Sequence, residues 1–423
     1  FATAAQDDPQ HRSALDRLRE LTTDAGDPKW RATYLLEEAR AAYGHTELGA
    51  LQDAANAALT AARECADAAS AARALSYLAD VETNRGNFDA AQSLLEQVQS
   101  EAVKAQDGAV ELDSLRASFM VAYNRADVER TTSIAQQWLE RGMALGDRYG
   151  EASGRLRMAI ALVTRRHDVA RIREELARAH AIFEELHWQR GIAGVLLNQG
   201  ILENEIANFD EAARLTERSL EIFIALDDAR GRSTALTNLA TVHAELGDGE
   251  RAHREAEASI RVAQEGGLRP AEALGFENLA LATAASGKLA DAIRLGEQAL
   301  SKHEELGSKS RSVRLIGDLA LWYAQTGDLR SARQRVDEML PLGAHIWAEW
   351  PQRFHWIAAQ VLRATGERVR SRDELRLAHE LVTNLAAELQ GEDLQRYLSA
   401  ACNAEIVRAA DSDEWPTLSA GQT

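Results

Sequence analysis

A short turn that returns about every forty residues is the feature that most constrains this chain. Each turn places a small residue, or a substitute for it, before a polar residue. The turns begin at Gly86, Ala126, His167, Ala207, Gly247, Gly287, Gly327 and Gly366, at intervals of 39 to 41 residues. A fixed period in this range is typical of stacked supersecondary units, so the sequence predicts a repeat array.

Each period has the pattern of two helices joined by the turn. In one unit, Leu239 and Ala240 before the turn, and Ala252 and Ala256 after it, recur at helical spacing. Glycine suits the left-handed backbone that ends a first helix, and the polar residue after it can cap the second helix. The six prolines lie at the chain ends or between units, so we expect none inside a helix.

The pattern L-A…G-(D/N)-x-x-x-A at 239–252, 279–292 and 319–332 resembles the tetratricopeptide repeat (TPR). The usual repeat has about 34 residues, so about six extra residues lengthen the helices or loops here. The resemblance implies an all-α fold, a right-handed TPR-like α-solenoid of about nine antiparallel helix pairs with flanking capping helices.

The same resemblance divides the chain into four segments. We expect an N-terminal capping helix or linker over 1–28 and the repeat array over 29–390. A C-terminal capping helix over 391–410 and a flexible tail over 411–423 would follow. Caps are expected because the terminal units of a solenoid have no neighbour to cover them.

The longer repeat is similar to the repeats of kinesin light chain and of bacterial signal-transduction ATPases of the STAND type. The likeness is to the C-terminal sensor domain of those ATPases, and it implies that ATPase and effector domains belong to a parent chain. No phosphate-binding loop occurs in these 423 residues, so the resemblance carries no ATPase activity to them. Because the chain starts at Phe1 without a signal-peptide pattern, we expect a fragment of a longer bacterial protein.

Composition excludes several classes of function. The chain has 66 acidic and 48 basic residues, a formal net charge of −18, which disfavours nucleic-acid binding. No apolar run approaches the length of about 18 residues that a membrane span requires. The two cysteines, Cys65 and Cys402, are isolated, which predicts a reducing cytoplasm and no zinc site.

Catalytic motifs are missing from the sequence. The eleven histidines are scattered, and no metalloprotease, nucleophile-elbow or dinucleotide motif occurs. An enzyme would need a convergent set of nucleophile, acid or base, and charge stabiliser. We therefore predict a protein that is not an enzyme and that uses no cofactor and no metal.

One position in the first helices is a candidate for ligand binding. Asn198, Asn238 and Asn278 lie nine residues before their turns, and Asp318 continues the series. In peptide-binding TPR proteins this position faces the concave groove, so the resemblance implies contacts with the backbone of an extended peptide. An amide both donates and accepts, and so matches a peptide group of any sequence. The alternative is that these residues bridge adjacent helices or face water.

Two arginines lie one position earlier in the preceding units. Arg116 and Arg157 would both point inward, and a pair of inward arginines can bind a carboxylate or phosphate. In so acidic a chain, the favoured alternative is that they form ion pairs with neighbouring carboxylates.

An aromatic segment, HIWAEWPQRFHW at 345–356, is the third candidate. It contains Trp347, Trp350, Phe354 and Trp356. Indole rings that cannot all be buried mark an interface or a ligand pocket. The alternative is that this irregular link between the last two repeats is packed down by its own aromatic side chains.

Together these features favour a non-catalytic sensor domain that binds a polypeptide partner in the concave groove. The first alternative is a sensor of a sugar or another metabolite, as in transcriptional regulators that resemble the maltose-responsive activator. A purely structural scaffold is the second. The ATPase or effector domains of a parent chain are further candidate partners.

Overall fold

The computed structural model describes residues 27–165, 168–307, 312–343 and 350–416, together with 17, 19, 20 and 418. Within these residues the regular secondary structure is entirely helical. Twenty helices have both ends in the described ranges: α1 (Pro28–His45), α2 (Leu48–Glu64), α3 (Ala68–Asn84), α4 (Phe88–Ala105), α5 (Gly108–Asn124), α6 (Val128–Leu145), α7 (Arg148–Arg165), α8 (Val169–Glu185), α9 (Gln189–Glu205), α10 (Phe209–Ala225), α11 (Ala229–Glu245), α12 (Gly249–Glu265), α13 (Arg269–Ala285), α14 (Leu289–Glu305), α15 (Val313–Gln325), α16 (Leu329–Gly343), α17 (Pro351–Ala364), α18 (Arg368–Ala386), α19 (Gly391–Ser399) and α20 (Ala401–Ser412).

Helices α1 to α18 pack as nine consecutive pairs, so the prediction of an all-α solenoid of about nine pairs is confirmed. In many units, an alanine lies five residues after the first residue of the turn. This alanine lies where the two helices of the pair approach closely. It is completely buried in five units, at Ala91, Ala212, Ala252, Ala292 and Ala332. A larger side chain at this position would separate the helices, which is why the repeat keeps a small residue there.

The turns have the backbone that the sequence predicts. Gly247 and Gly327 adopt φ of +78° and +88°, in the left-handed region that ends a helix at low cost for glycine. The next residue then caps the second helix: the Asp248 carboxylate accepts from the Arg251 amide at 3.0 Å, and Asp328 accepts from Ser331 at 3.0 Å. The turn at His167 lies outside the described residues.

Three details differ from the sequence-based expectations or go beyond them. Pro341 lies inside α16, so the expectation that no helix contains proline is wrong; it sits in the last turn, where the helix is about to end. The stretch expected to form one cap over 391–410 forms two helices, because the backbone at Ala400 is extended (ψ 134°). Most of the segment 1–28 lies outside the described residues.

The first helix of each pair lines the inner side of the solenoid. First helices of neighbouring pairs contact one another, as in α3 with α5 and α11 with α13, whereas the prominent contacts of second helices are with first helices. Elements that touch along a curved stack lie on its concave side. The odd-numbered helices α1 to α17 therefore form the inner face.

The solenoid is wound so tightly that residues more than three repeats apart are in contact. Thr46, after α1, donates to the Asp228 carboxylate before α11 at 3.2 Å. Arg190 of α9 pairs with the same carboxylate at 2.8 Å and donates to the carbonyl of Gly44. Leu48 packs against Ala263 and Leu268 in one apolar cluster.

A second contact of this kind lies near the C-terminal end. The backbone amides of Asp168 and Val169 donate to the Glu388 carboxylate at 2.9 and 3.1 Å. Arg173 of α8 pairs with Asp393 of α19 at 3.0 Å. Successive turns of the superhelix therefore support each other. We call the space around the superhelix axis, which the inner helices face, the channel.

We expect replacement of Arg190 by alanine to loosen the first of these contacts. Asp228 is buried, so loss of its charged partner should lower the free energy of unfolding by about 2 kcal/mol. Small-angle scattering should show a larger radius of gyration than for the wild type. Arg218→Ala, on an exposed position of α10, is the matched control. Unchanged stability and scattering would contradict the contact.

Candidate functional site

Six side chains from five inner helices converge in the N-terminal half of the channel. We call them the arginine–tyrosine cluster; they are Tyr43, Tyr77, Arg116, Tyr149, Arg157 and Arg230. All six are half-buried, so they line the channel wall without being sealed in the core. The residues come from α1, α3, α5, α7 and α11, and the tight winding brings α11 back to α1.

Arg116 is neutralised by an aspartate. Its guanidinium forms an ion pair with Asp80 of α3 and lies 4.8 Å from the ring centre of Tyr43 and 5.4 Å from that of Tyr77. Burial disfavours its charge, but the Asp80 carboxylate outweighs burial and raises the pKa of Arg116 above its ordinary value. This residue has the ion-pair role that the sequence left as the alternative.

Arg157 has a different environment. Its guanidinium lies 5.2 Å from the ring centre of Phe119 and 5.7 Å from that of Trp138, and burial lowers the pKa of Arg157. Within the described ranges no carboxylate pairs with it. Its Nε atom is buried without a hydrogen-bond partner. Neither terminal nitrogen has a hydrogen bond within the described residues, and the side chain as a whole is half-buried, so both nitrogens are available to a molecule at the inner face.

Arg230 reaches the cluster from α11, one superhelical turn later. Its Nε donates to the Asn84 side-chain oxygen at 3.0 Å, and its guanidinium lies 4.9 Å from the ring centre of Tyr43. Its Nη2 atom is buried and has no partner in the part of the chain that the structure describes. Burial raises the pKa of the Tyr43 hydroxyl, but Arg116 and Arg230 outweigh it, so this pKa is lowered.

The local charge has the opposite sign to the charge of the whole protein. Three of the six cluster side chains are arginines, and a fourth arginine, Arg190, binds the Gly44 carbonyl next to Tyr43. Asp80 pairs with Arg116 and Asp228 with Arg190, whereas Arg157 and Arg230 form no ion pair within the described ranges. The full chain carries −18. This part of the inner face is therefore a positive region enclosed by an acidic protein, and it attracts anions.

Asn198 and Asn238 lie on the inner helices α9 and α11, and both are half-buried. Asn198 donates to the carbonyl of Gly194, one turn earlier in its own helix, at 2.8 Å. The Asn238 amide nitrogen is buried without a partner. Neither side-chain oxygen is buried or bonded within the described residues. Each can therefore accept a hydrogen bond from a molecule in the channel.

Asn278 and Asp318 have structural partners instead. Both are only 2% exposed. The Asn278 oxygen accepts from Thr241 at 2.8 Å and from Arg314 at 3.1 Å, and Asp318 accepts from Arg353 at 2.9 Å. These two residues bridge neighbouring helices, which is the alternative role that the sequence analysis left open.

The aromatic side chains of the last repeats are also packed inside the protein. Trp350, Phe354 and Trp356 are 8%, 6% and 2% exposed. Trp350 stacks on Phe209 at 6.2 Å, and Trp356 stacks on Trp415 at 5.2 Å and donates to Glu405 at 3.1 Å. These three rings are therefore packed against other side chains of the protein, and Trp347 lies outside the described residues.

Two properties of the described chain concern metal ions and membranes. Across the described part of the chain, no group of three or more histidine, cysteine, aspartate or glutamate side chains is placed to hold a metal ion. Among the helices described, none combines the length and the apolar character that crossing a bilayer requires. A depression of about 540 Å³ between α4, α5 and α6 is open and lies away from the cluster.

The sequence points to Arg116 and Arg157 as candidates, but it gives no sign of the other four members, Tyr43, Tyr77, Tyr149 and Arg230. The period of the repeat shows which positions share a face, so the missed side chains could have been placed on inner helices. Their meeting depends on the pitch of the superhelix, since Tyr43 and Arg230 are 187 positions apart in the sequence. The repeat period alone does not contain that quantity.

The fold and the inner face define the chain as a TPR-like α-solenoid, as the sequence predicts. No family model and no curated protein matches the sequence. Among solved structures, a Rap protein complexed with competence and sporulation factor is similar, with 14% identity, coverage of 80% of this chain and 96% of that chain, and a TM-score of 0.54.

Two other solved structures also match over most of this chain. NprR in complex with its cognate peptide NprX has 12% identity, covers 72% of this chain and 85% of that chain, and gives a TM-score of 0.51. A STAND protein with a tetratricopeptide repeat sensor from Pyrococcus horikoshii has 15% identity and covers 78% of this chain and 52% of that chain, with a TM-score of 0.44. At these sequence identities, the similarity to the Rap protein and to NprR shows a shared fold and nothing beyond it.

Proposed function

We propose that this chain is a non-catalytic regulatory domain that binds a polypeptide in extended form along the inner face. The observation that carries the proposal is the pair of open side-chain oxygens at Asn198 and Asn238, on equivalent positions of consecutive inner helices. An extended peptide presents backbone N–H groups along its length, and acceptors repeated once per structural unit suit such a ligand.

Two further facts support a peptide as the ligand. A solenoid offers one continuous surface to which each repeat adds a segment, which fits an elongated partner better than a compact one. The Rap protein and NprR structures, which have this fold, were determined in complex with competence and sporulation factor and with the cognate peptide NprX. The acidic chain as a whole is unsuited to nucleic acid.

The finer part of the proposal is that this domain acts as the sensor of a larger bacterial signalling ATPase in the cytoplasm. Its support is the likeness of the forty-residue repeats to those of STAND proteins. The alternative of a sugar sensor loses its main support, because Trp350, Phe354 and Trp356 are buried.

Selection from a displayed library of random short peptides tests the proposal, followed by affinity measurement with a fluorescent copy of an enriched peptide. We expect the affinity of the Asn198→Ala/Asn238→Ala variant for this peptide to fall by about tenfold or more, because two hydrogen bonds of about 1 kcal/mol each are lost. Asn278 is left intact because it belongs to the buried network.

Asn56→Ala is the matched control, because Asn56 is exposed on the outer helix α2. It should bind the peptide as the wild type does, and circular dichroism should show equal helical content for all three proteins. Failure to enrich any peptide, or equal affinity of the double variant, would refute binding along this face.

A further inference from the structure

The arginine–tyrosine cluster contains hydrogen-bond donors that the protein does not satisfy. Within the described ranges, Arg157 Nε and Arg230 Nη2 are both buried without acceptors, although the Tyr43 side chain, whose ring centre is 4.9 Å away, lies against the Arg230 guanidinium. A buried donor without an acceptor is destabilising, and such groups are rare in folded proteins unless a ligand, an ion or ordered water satisfies them. Two of them in one cluster indicate a binding position.

The chemistry of the cluster selects the ligand. Arg116 is neutralised by Asp80, and Arg190 by Asp228, but Arg157 has no carboxylate partner in the described ranges. Its open terminal nitrogens form one side of a planar fork that matches the two oxygens of a carboxylate, or two oxygens of a phosphate. The rings of Phe119 and Trp138 hold the guanidinium by its face, so its orientation is fixed before a ligand arrives.

From these observations we infer that the arginine–tyrosine cluster is an oxyanion-binding subsite of the channel, with Arg157 as its main ligand-binding residue. Arg230 and the Tyr43 hydroxyl are placed to contribute further hydrogen bonds. This inference rests on the proposed function for its biological ligand, which is a polypeptide that places a carboxylate at this end of the channel. Its terminal carboxyl group or an acidic side chain would supply the oxygens, and a phosphate group has the same chemistry.

The subsite and the open asparagine oxygens then divide the recognition of one ligand. Asn198 and Asn238 accept hydrogen bonds from the backbone of any sequence, whereas Arg157 requires a negative charge at one place. The asparagines thus contribute affinity for a peptide of any sequence. The cluster determines in which direction the peptide lies and which of its residues is placed at Arg157. A peptide without an oxyanion at this position would leave the half-buried Arg157 guanidinium without a compensating charge.

Thermal unfolding in simple salts tests the subsite without any peptide. The melting temperature of the full chain is measured at pH 7 and constant ionic strength while sodium chloride is replaced by sodium acetate or by sodium phosphate. Arg157→Gln is the test variant, and Arg218→Gln, exposed on α10, is the matched control. Phosphate stabilises most proteins by exclusion from their surface, so the comparison between variants is the measured quantity.

We expect acetate, phosphate or both to raise the melting temperature of the wild type and of Arg218→Gln by about 1–2 °C more than that of Arg157→Gln. A difference with acetate assigns the subsite to carboxylates, and one with phosphate alone assigns it to phosphate. Equal responses of all three proteins would overturn the inference, even if Arg157→Gln lowered every melting temperature by the same amount.

A peptide enriched on the wild type separates this inference from the proposed function. Its carboxyl groups are converted to amides, and the loss of affinity is compared between the wild type and Arg157→Gln. The subsite predicts at least a tenfold loss for the wild type and little further loss for the variant. Equal affinities of the acid and amide forms would overturn the subsite but leave peptide binding in place, whereas the salt experiment succeeds or fails without any peptide.

Discussion

Replacement of Arg353 by methionine is expected to lower the free energy of unfolding by about 3–5 kcal/mol. Arg353 of α17 donates to Asp318 of α15 at 2.9 Å and to Glu245 of α11 at 3.1 Å. It therefore connects the last repeat to a helix 108 positions earlier in the chain. Its removal leaves the Asp318 carboxylate buried without a cation, and the desolvation of that charge is no longer compensated.

The partner carboxylates provide the control for this prediction. Arg353→Met combined with Asp318→Asn and Glu245→Gln removes the uncompensated charges, so this triple variant should recover much of the stability lost in Arg353→Met alone. Urea denaturation followed by far-UV circular dichroism measures both. If the single and triple variants lose the same stability, the effect comes from lost packing and the account of the ion network is wrong.

Gly154→Ala is expected to lower the free energy of unfolding by about 2 kcal/mol or more, although alanine favours helices. A Cβ atom at Gly154 of α7 would lie 2.5 Å from the Leu139 Cα and 2.7 Å from the Leu139 nitrogen of α6. Both are backbone atoms, so a rotamer change cannot relieve the overlap. The two helices would have to move apart, and Arg157, one turn along α7, would move with them.

Gly49→Ala is the matched control for this substitution. Gly49 lies in the first turn of α2, and an added Cβ would meet no atom within 4 Å. We expect no loss of stability and up to about 1 kcal/mol of gain from the better helix propensity of alanine. Urea denaturation of the two variants is the measurement, and a stability of Gly154→Ala equal to that of the wild type would show that α6 and α7 are not in backbone contact.

Local chemistry made the fold predictable. A glycine in the left-handed region followed by a capping aspartate, as at Gly247-Asp248, ends one helix and starts the next. The number of such turns in the sequence therefore gives the number of helix pairs. Pro341 was misplaced because the last turn of a helix tolerates proline better than its interior, and the sequence does not mark where α16 ends.

The candidate site could be predicted only in part. The repeat period places Asn198, Asn238, Asn278 and Asp318 at equivalent positions on the inner helices. It does not show which of these side chains form hydrogen bonds with neighbouring repeats. The next repeat decides that. Arg314 donates to Asn278 and Arg353 donates to Asp318, whereas no arginine of the described ranges forms a hydrogen bond with Asn238. The contribution of Arg230 depends on the superhelical pitch, which is a sum of small rotations between repeats.

Hydrogen-exchange mass spectrometry of the chain with and without a saturating enriched peptide tests the central claim most directly. If the inner face binds an extended polypeptide, protection will increase in the first helices α5, α7, α9 and α11, which carry Arg116, Arg157, Asn198 and Asn238. The outer helices α6, α8, α10 and α12 should change less. Protection confined to the outer helices, or no change at saturation, would contradict the account.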